Sequence, residues 1–207
     1  NVDKETVRTF VNGVEVGHSY DVELNIVSLN QERDTFDIAD VQYCEKPEVT
    51  KKVIQVVSGG NHNCALLATG EVKCWGDNTY GQLGLGHNNS IGDDELATSA
   101  PTLNFDERVL QLTTGYFHTC AFLESGKVKC WGRNNFGQLG LGHKTDLGGS
   151  EDISEIPYVD IGTNIRKLYS GTYYNCALYK NGQVRCWGQN SNGQLGTQDQ
   201  QTYGDDE

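Results

Sequence analysis

Cysteine is the residue type in this chain with the widest choice of chemistry. Six of the seven cysteines fall into three pairs of identical spacing: Cys64 and Cys74, Cys120 and Cys130, Cys176 and Cys186. A thiol can bind a metal, act as a nucleophile or form a disulfide. Two cysteines separated by nine residues offer only two ligands and no partner pair, which does not match a structural zinc site. Disulfides are therefore the preferred interpretation, and buried free thiols are the alternative.

Histidines and carboxylates are present but form no recognisable catalytic set. His62 and His118 stand 56 residues apart, and Tyr174 takes the corresponding place after the next interval. Residues at such regular positions usually serve packing, so we interpret both histidines as structural hydrogen-bonding groups. No serine–histidine–aspartate, cysteine–histidine or paired-carboxylate pattern stands out, and we predict no catalytic residues and no enzyme activity.

Two acidic segments raise the question of calcium. They contain His87, Asp93, Asp94 and Glu95, and then His143, Asp146, Glu151 and Asp152. Oxygen-rich loops can bind calcium, but neither spacing matches a known calcium loop. Solvated insertion loops are the preferred interpretation, and we predict no metal and no cofactor.

Glycine-rich runs and tryptophans also invite a functional interpretation. The Gly-Gln-Leu-Gly runs at 81–84, 137–140 and 193–196 lack the Lys-Ser/Thr ending of a phosphate loop, and no helical pattern follows them. We expect turns that pack closely against the next repeat. Trp75, Trp131 and Trp187 could stack on sugars or bases, but their fixed spacing favours a place in the core between repeats.

The cysteine pairs, the tryptophans and the glycine-rich runs belong to one cassette that occurs three times. It runs from Cys64, from Cys120 and from Cys176, always with a period of 56 residues. Such a period indicates a repeat architecture, in which each unit buries its apolar face against its neighbours. Abundant glycine, three prolines and the absence of helical periodicity favour short strands and tight turns, so we predict an all-β fold.

The cassette resembles the regulator of chromosome condensation repeat. The motif reads G-x-x-H/Y-x-C-A-L/F, then G-x-V-K/R-C-W-G-x-N-x-x-G-Q-L-G, over about residues 53–207. The resemblance implies β-propeller blades, usually seven in a ring. The nuclear archetype does not carry this cysteine pair in every repeat. The cysteine-paired version in this chain is similar to those in bacterial surface proteins, algal secreted proteins and crinkly-type plant receptor kinases. We therefore predict three consecutive blades, a partial propeller, over residues 49–207.

The cysteines of each pair are expected to lie opposite each other in a hairpin. The central triplets are Ala68-Thr69-Gly70, Glu124-Ser125-Gly126 and Lys180-Asn181-Gly182. A final glycine suits a three-residue loop whose last residue is left-handed. That loop places Cys64 opposite Cys74 and Leu66 opposite Val72, at a Cα separation that a disulfide accepts. The same register pairs the other four cysteines.

Residues 1–48 do not match the repeat and are predicted to form a separate β-rich segment. Residues 10–15 read as a hairpin with an Asn-Gly turn, and residues 20–26 alternate as in a half-buried strand. Residues 36–43 weakly resemble the closing strand of a jelly-roll module. The segment is short for a complete sandwich, so it is expected to be part of one. At the other end, residues 203–207 share the phase of residues 91–95, and we expect the last repeat to be truncated.

The cysteine pairs also predict where the protein resides. Disulfides persist in oxidising compartments, which favours an extracellular or cell-surface location. Cys44 has no partner in the pattern and is predicted to be unpaired or to bond outside the segment. Asn88-Asn89-Ser90 is the chain's one N-x-Ser/Thr sequon, which makes Asn88 a glycosylation candidate.

Charge narrows the class of partner. The formal net charge is −12, and the first 50 residues hold 11 acidic against 4 basic side chains. Such a chain repels nucleic acid, and no apolar run is long enough to insert directly into a membrane. We therefore expect a protein partner or self-assembly through exposed β edges.

The sequence leaves several functions open. The preferred interpretation is a non-enzymatic extracellular repeat protein, either a binding scaffold or a structural subunit of a surface assembly or filament. The alternatives are a secreted enzyme inhibitor or receptor ectodomain, a guanine nucleotide exchange factor as in the nuclear archetype, and a hydrolase whose catalytic residues lie outside this segment.

Overall fold

The chain divides into two compact units, residues 1–50 and 51–207. The computed structural model describes residues 10–11, 14–15 and 52–205. In the first unit, strand β1 (Phe10–Val11) pairs antiparallel with β2 (Val14–Glu15), so the predicted hairpin is present. The predicted strand over residues 20–26, the jelly-roll-like strand over 36–43 and Cys44 lie outside the described residues.

The second unit consists of three antiparallel sheets that follow one another along the chain. The first contains β3 (Val53–Ser58), β4 (His62–Leu67), β5 (Val72–Gly76) and the short β6 (Thr102–Leu103). The second contains β7 (Val109–Thr114), β8 (His118–Leu123) and β9 (Val128–Gly132). The third contains β10 (Ile165–Ser170), β11 (Tyr174–Tyr179) and β12 (Val184–Gly188). We call these sheets, with their connections, blades 1, 2 and 3.

Each blade is organised around the hairpin that the sequence predicts. In blade 1 the Leu67 N–H donates to the Glu71 carbonyl, which closes a three-residue loop, and Gly70 has φ of +90°. A positive φ is strained for residues with a side chain, which explains the glycine at the end of each triplet. The resulting register pairs Cys64 with Cys74 and Leu66 with Val72.

The core lies between consecutive blades. Leu66 and Val72 of blade 1 share one apolar cluster with Val109 and Leu112 of blade 2. A second cluster joins blades 2 and 3 in the same manner. The unit is therefore all-β, with three consecutive propeller blades that bury their apolar surface against each other, as predicted.

Side-chain amides add hydrogen bonds across the same boundaries. Gln55 of blade 1 donates to the Leu112 carbonyl of blade 2 at 2.9 Å and accepts from the Leu112 N–H at 2.9 Å. Gln111 forms the matching pair of bonds with Leu168 of blade 3. Each glutamine thereby satisfies a backbone N–H and a backbone carbonyl of the neighbouring blade.

The connections between blades differ from the predicted solvated loops. Ile153 and Ile156, in the connection after blade 2, are buried in the core between blades 1 and 2. Lys129 donates from Nζ to the carbonyls of Ile153 and Ser154, both at 2.8 Å. The connection therefore returns apolar side chains to the core, and the expectation of a fully solvated loop is wrong for this part. Among the described residues, no helix has the length and apolar character needed to cross a membrane.

Candidate protein-binding face

The three cysteine pairs form disulfides within the blades. The S–S distances are 2.05, 2.10 and 2.05 Å for Cys64–Cys74, Cys120–Cys130 and Cys176–Cys186. The Cα atoms are 4.0–4.1 Å apart, as expected for directly opposed residues in a narrow pair. These sulfurs act as covalent links and not as nucleophiles or metal ligands.

The Gly-Gln-Leu-Gly runs are turns that receive the tryptophan of the next blade. Trp131 Nε1 donates to the Gln82 carbonyl at 3.0 Å, and Trp187 Nε1 donates to the Gln138 carbonyl at 3.0 Å. A Cβ atom added at Gly84 would lie 2.8 Å from Trp131 Nε1, so a side chain there would collide with the indole. Trp131 and Trp187 are buried, whereas Trp75 is half-buried.

His62 and His118 also connect neighbouring blades. His62 Nε2 lies 2.9 Å from Thr119 Oγ1, and His118 Nε2 lies 3.0 Å from Asn175 Oδ1. Burial is the main reason that the pKa of each histidine falls to about 4. Neither Nδ1 atom has a hydrogen-bond partner among the described residues. Both imidazoles are thus held neutral, and their placement fits the predicted structural role.

The acidic segments hold mainly local contacts. Asp93, Asp94 and Glu95 bring carboxylate oxygens within 4.8 Å of one another, but the two aspartates are exposed, and exposed acidic groups are common without an ion. In the same connection, His87 Nδ1 accepts from the Asn89 N–H at 3.2 Å. These contacts shape the loop. Asn88 is exposed, as a glycosylation candidate must be.

A run of aromatic side chains that the sequence did not single out crosses all three blades. We call it, together with Arg133, the aromatic face; its five aromatic members are Tyr80, Tyr116, Phe117, Phe136 and Tyr173. Phe117 lies 5.0 Å from Tyr80 and 4.5 Å from Tyr116, measured between ring centroids. Tyr173 lies 6.2 Å from Tyr116 and 5.3 Å from Phe136. These separations are typical of favourable ring pairs.

Arg133 joins the face through cation–π contacts. Its guanidinium carbon lies 4.6 Å from the Tyr80 centroid and 5.6 Å from the Phe117 centroid. Tyr116 is 42% exposed, and the other members are half-buried. The face therefore presents aromatic surface to solvent while its rings hold each other in place.

Two kinds of loop position these side chains. Tyr116, Phe117 and Tyr173 lie in the turns that enter β8 and β11, and Tyr80 and Phe136 lie in the turns that follow β5 and β9. Backbone bonds fix the first set across blades: the Gly60 N–H donates to the Tyr116 carbonyl, and the Tyr116 N–H donates to the Thr172 carbonyl. The sequence contains one signal for this face, a change of residue type at a fixed place in the repeat. Asn61, Phe117 and Tyr173 occupy that place in blades 1, 2 and 3.

Comparison with known proteins identifies the repeat. Two models of the regulator of chromosome condensation (RCC1) repeat match, one at residues 53–82, 109–138 and 165–194, the other at 69–122 and 125–178. The ultraviolet-B receptor UVR8 of Arabidopsis thaliana is 34% identical over 152 residues, which are 72% of this chain and 32% of the receptor. The human probable E3 ubiquitin-protein ligase HERC4 is 35% identical over 151 residues, 70% of this chain and 13% of the ligase.

Solved structures show the same fold. Human WBSCR16 aligns with a TM-score of 0.56 and 26% identity, over 68% of this chain and 34% of that one. Yeast RCC1 (Prp20), solved bound to Kap60, aligns with a TM-score of 0.58 and 19% identity, over 74% and 36%. The chain thus spans about a third or less of the length of these proteins. Its three matched repeats place it in the regulator of chromosome condensation (RCC1) repeat family.

Proposed function

We propose that this chain is a non-enzymatic protein-binding propeller of the extracellular space or cell surface. In this proposal it acts as a binding scaffold that can also serve as a subunit of a surface assembly. The aromatic face is the observation that carries the proposal. It is the part of the described molecule where large apolar side chains from all three blades meet solvent as one connected group.

The composition of the aromatic face suits a protein partner. Tyrosine and arginine are enriched in protein interfaces, and they supply much of the binding energy where they form a cluster. Tyr116 and Tyr173 have few rotatable bonds, so little side-chain entropy is lost on binding. The bonds from Gly60 to Tyr116 and from Tyr116 to Thr172 hold the supporting loops in place before a partner arrives.

The charge of the chain favours some partners over others. A net charge of −12 opposes contact with nucleic acid and attracts proteins that carry positive charge near their binding site. The likeness to yeast Prp20 supports the fold alone, and its complex with Kap60 is a property of that protein. The proposed class of partner, a protein with positive charge near its binding site, therefore rests on the aromatic face and the charge of this chain.

The three disulfides support an oxidising location. Each blade carries one at the same place, so a reducing compartment would remove a link from every blade. Glycosylation at Asn88 belongs to the same proposal, since the side chain is exposed within an N-x-Ser sequon.

The absence of catalysis is also part of the proposal. A general base needs a titratable group that can reach a substrate, whereas His62 and His118 are buried and use Nε2 to contact the next blade. The six paired sulfurs are unavailable as nucleophiles.

Substitutions in the aromatic face test the proposal. The double variant Tyr116→Asp/Tyr173→Asp places two charges on the face, and we expect it to lose the extracellular proteins that the immobilised wild-type chain retains after salt washing. Tyr158→Asp is the matched control, because Tyr158 is a similarly exposed tyrosine that contacts Lys127 and Lys129 outside the aromatic face. The thermal melting of all three proteins is measured in parallel. Equal retention of the same partner by the wild type and the double variant would contradict the proposal.

A further inference from the structure

The aromatic face contains two equivalent pairs of rings, one at each boundary between blades. Tyr80 of blade 1 and Phe117 of blade 2 have ring centroids 5.0 Å apart and planes inclined at 56°. Phe136 of blade 2 and Tyr173 of blade 3 occupy the same places in the next repeat, at 5.3 Å and 47°. We call these the first and the second ring pair. The repeat therefore builds the same aromatic platform twice.

The first ring pair already holds a cation. The guanidinium carbon of Arg133 lies 4.6 Å from the Tyr80 centroid and 5.6 Å from the Phe117 centroid. The backbone positions this arginine, because the Arg133 N–H donates to the Phe117 carbonyl at 2.9 Å. A cation near the face of an aromatic ring is attracted by the negative potential of the ring. The platform is thus seen to bind a guanidinium group within the chain itself.

At the second ring pair, a residue without charge takes the place of this arginine. Gln189 stands at the phase of Arg133, and its N–H donates to the Tyr173 carbonyl at 2.9 Å, so both side chains leave the backbone at the same point. A glutamine amide carries no charge. No lysine or arginine of the described blades makes a cation–π contact with Phe136 or Tyr173. Both rings are half-buried, and Tyr116, which is 42% exposed, lies beside them at 6.2 Å from Tyr173.

We propose that the second ring pair binds an arginine side chain of the protein partner, as the first ring pair binds Arg133. Arginine is favoured because its planar guanidinium stacks on aromatic rings and is weakly hydrated, unlike the ammonium group of lysine. The net charge of −12 also attracts a partner that presents a cation. This inference rests on the proposed function, since it names the chemical group that the partner brings to the aromatic face.

The repeat geometry leaves such a platform accessible when a further blade follows it. Blade 3 follows the first ring pair, yet Phe117 and Arg133 remain half-buried and Tyr116 remains 42% exposed. A blade placed after blade 3 in the same manner would leave the second ring pair equally open. The repeat position that fills the platform from within lies at residue 189, and Gln189 cannot supply the cation. The second ring pair is therefore available to a ligand from outside the propeller.

Titration of the 207-residue chain with Nα-acetyl-argininamide, followed by NMR, tests the inference. We expect saturable shifts of the ring signals of Phe136 and Tyr173. Nα-acetyl-citrullinamide is the control ligand, because it has nearly the same shape without the charge, and it should bind about threefold more weakly if the cation contributes. Equal binding of the two ligands, or ring signals that do not move with the arginine ligand, would overturn the inference.

Two substitutions exchange the states of the ring pairs. Gln189→Arg supplies the missing cation from within the chain, so the saturable shifts of Phe136 and Tyr173 should be lost. Gln183→Arg is the matched control, because it makes the same change of charge at an exposed position beyond the other end of β11. Arg133→Gln empties the first ring pair, so this variant should bind two molecules of the arginine ligand. The thermal melting of all variants is measured in parallel.

Retention of extracellular proteins separates this inference from the proposed function. We expect immobilised Gln189→Arg to lose the proteins that the wild type and Gln183→Arg retain. Retention by Gln189→Arg together with loss by Tyr116→Asp/Tyr173→Asp would overturn the inference and leave the proposed function standing, because the face would then bind its partner without an arginine. Retention by both of these variants would contradict the inference and the proposed function together.

Discussion

Trp131 shows how a single side chain can join two blades. Its indole is fully buried between blades 1 and 2, and its Nε1 donates to the Gln82 carbonyl. Trp75 has the same sequence context but is half-buried, because no described residue covers it as the preceding blade covers Trp131. Tryptophan at the same place in the repeat therefore contributes differently to the free energy of unfolding in different blades.

This difference predicts unequal effects of the same substitution. We expect Trp131→Ala to lower the free energy of unfolding by about 3–5 kcal/mol, as large buried truncations do. Trp75→Ala should cost less, because less apolar surface is lost. Denaturant titration of both variants measures the two values. Unchanged melting of Trp131→Ala together with lost partner binding would show that the indole serves recognition instead.

The residues of the aromatic face could not be predicted from the repeat pattern of the sequence. Repetition identified Trp131 and His118 because they recur, and recurring residues serve the packing that every blade needs. Tyr116 and Phe117 correspond to Gly60 and Asn61 in blade 1, so no periodic signal selects them. Their proximity to Tyr80 and Tyr173 follows from the packing of neighbouring blades, which the sequence does not show.

At the scale of the element, the hairpin was predictable in detail. The glycine at the end of each central triplet determined the loop, the loop determined the register, and the register brought Cys64 opposite Cys74. The connections were less predictable, because Ile153 and Ile156 are scattered among polar residues. Only the fold reveals that Lys129 anchors this segment and that its isoleucines return to the core.

The hairpin disulfides should contribute modestly to stability. Replacing Cys120 and Cys130 together by alanine opens a loop of about 11 residues, for which chain entropy allows at most about 3 kcal/mol. We expect a smaller loss, because the hairpin is held independently by its strand bonds. Calorimetric melting of the double variant checks this. A loss well above 3 kcal/mol would show that the disulfide organises more than its own hairpin.

The buried histidines predict acid sensitivity of the contacts between blades. The pKa of His62 and of His118 is about 4 in the folded chain, below the ordinary value of 6.5. The unfolded chain therefore binds more protons between these values, and stability should fall as pH decreases from about 6.5 to 4. The shift corresponds to roughly 3 kcal/mol for each histidine.

His118→Tyr provides the matched test of this slope, because Tyr174 occupies the same phase in blade 3. Denaturant titrations at several pH values should show a shallower decrease in stability for the variant between pH 6.5 and 4. An identical slope in the variant and the wild type would mean that other groups cause the acid sensitivity.

At the scale of the whole molecule, a repeat scaffold carries the aromatic face, and we propose for it a location outside the reducing cytosol. The scaffold was predicted from the 56-residue period, and the aromatic face required the structure. The proposed location rests on the disulfides, because such bonds form and persist in oxidising compartments. The oxidation state of the cysteines is therefore the property on which the proposed setting depends.

Thiol trapping tests this central claim most directly. The protein is taken from the organism that makes it, without reductant, and is alkylated at once under denaturing conditions before its mass is measured. We predict that none of the six cysteines in the blades is alkylated, as read from the masses of the peptides that contain them. Alkylation of all six blade cysteines would contradict the account, because the chain would then function in a reducing compartment with unlinked hairpins.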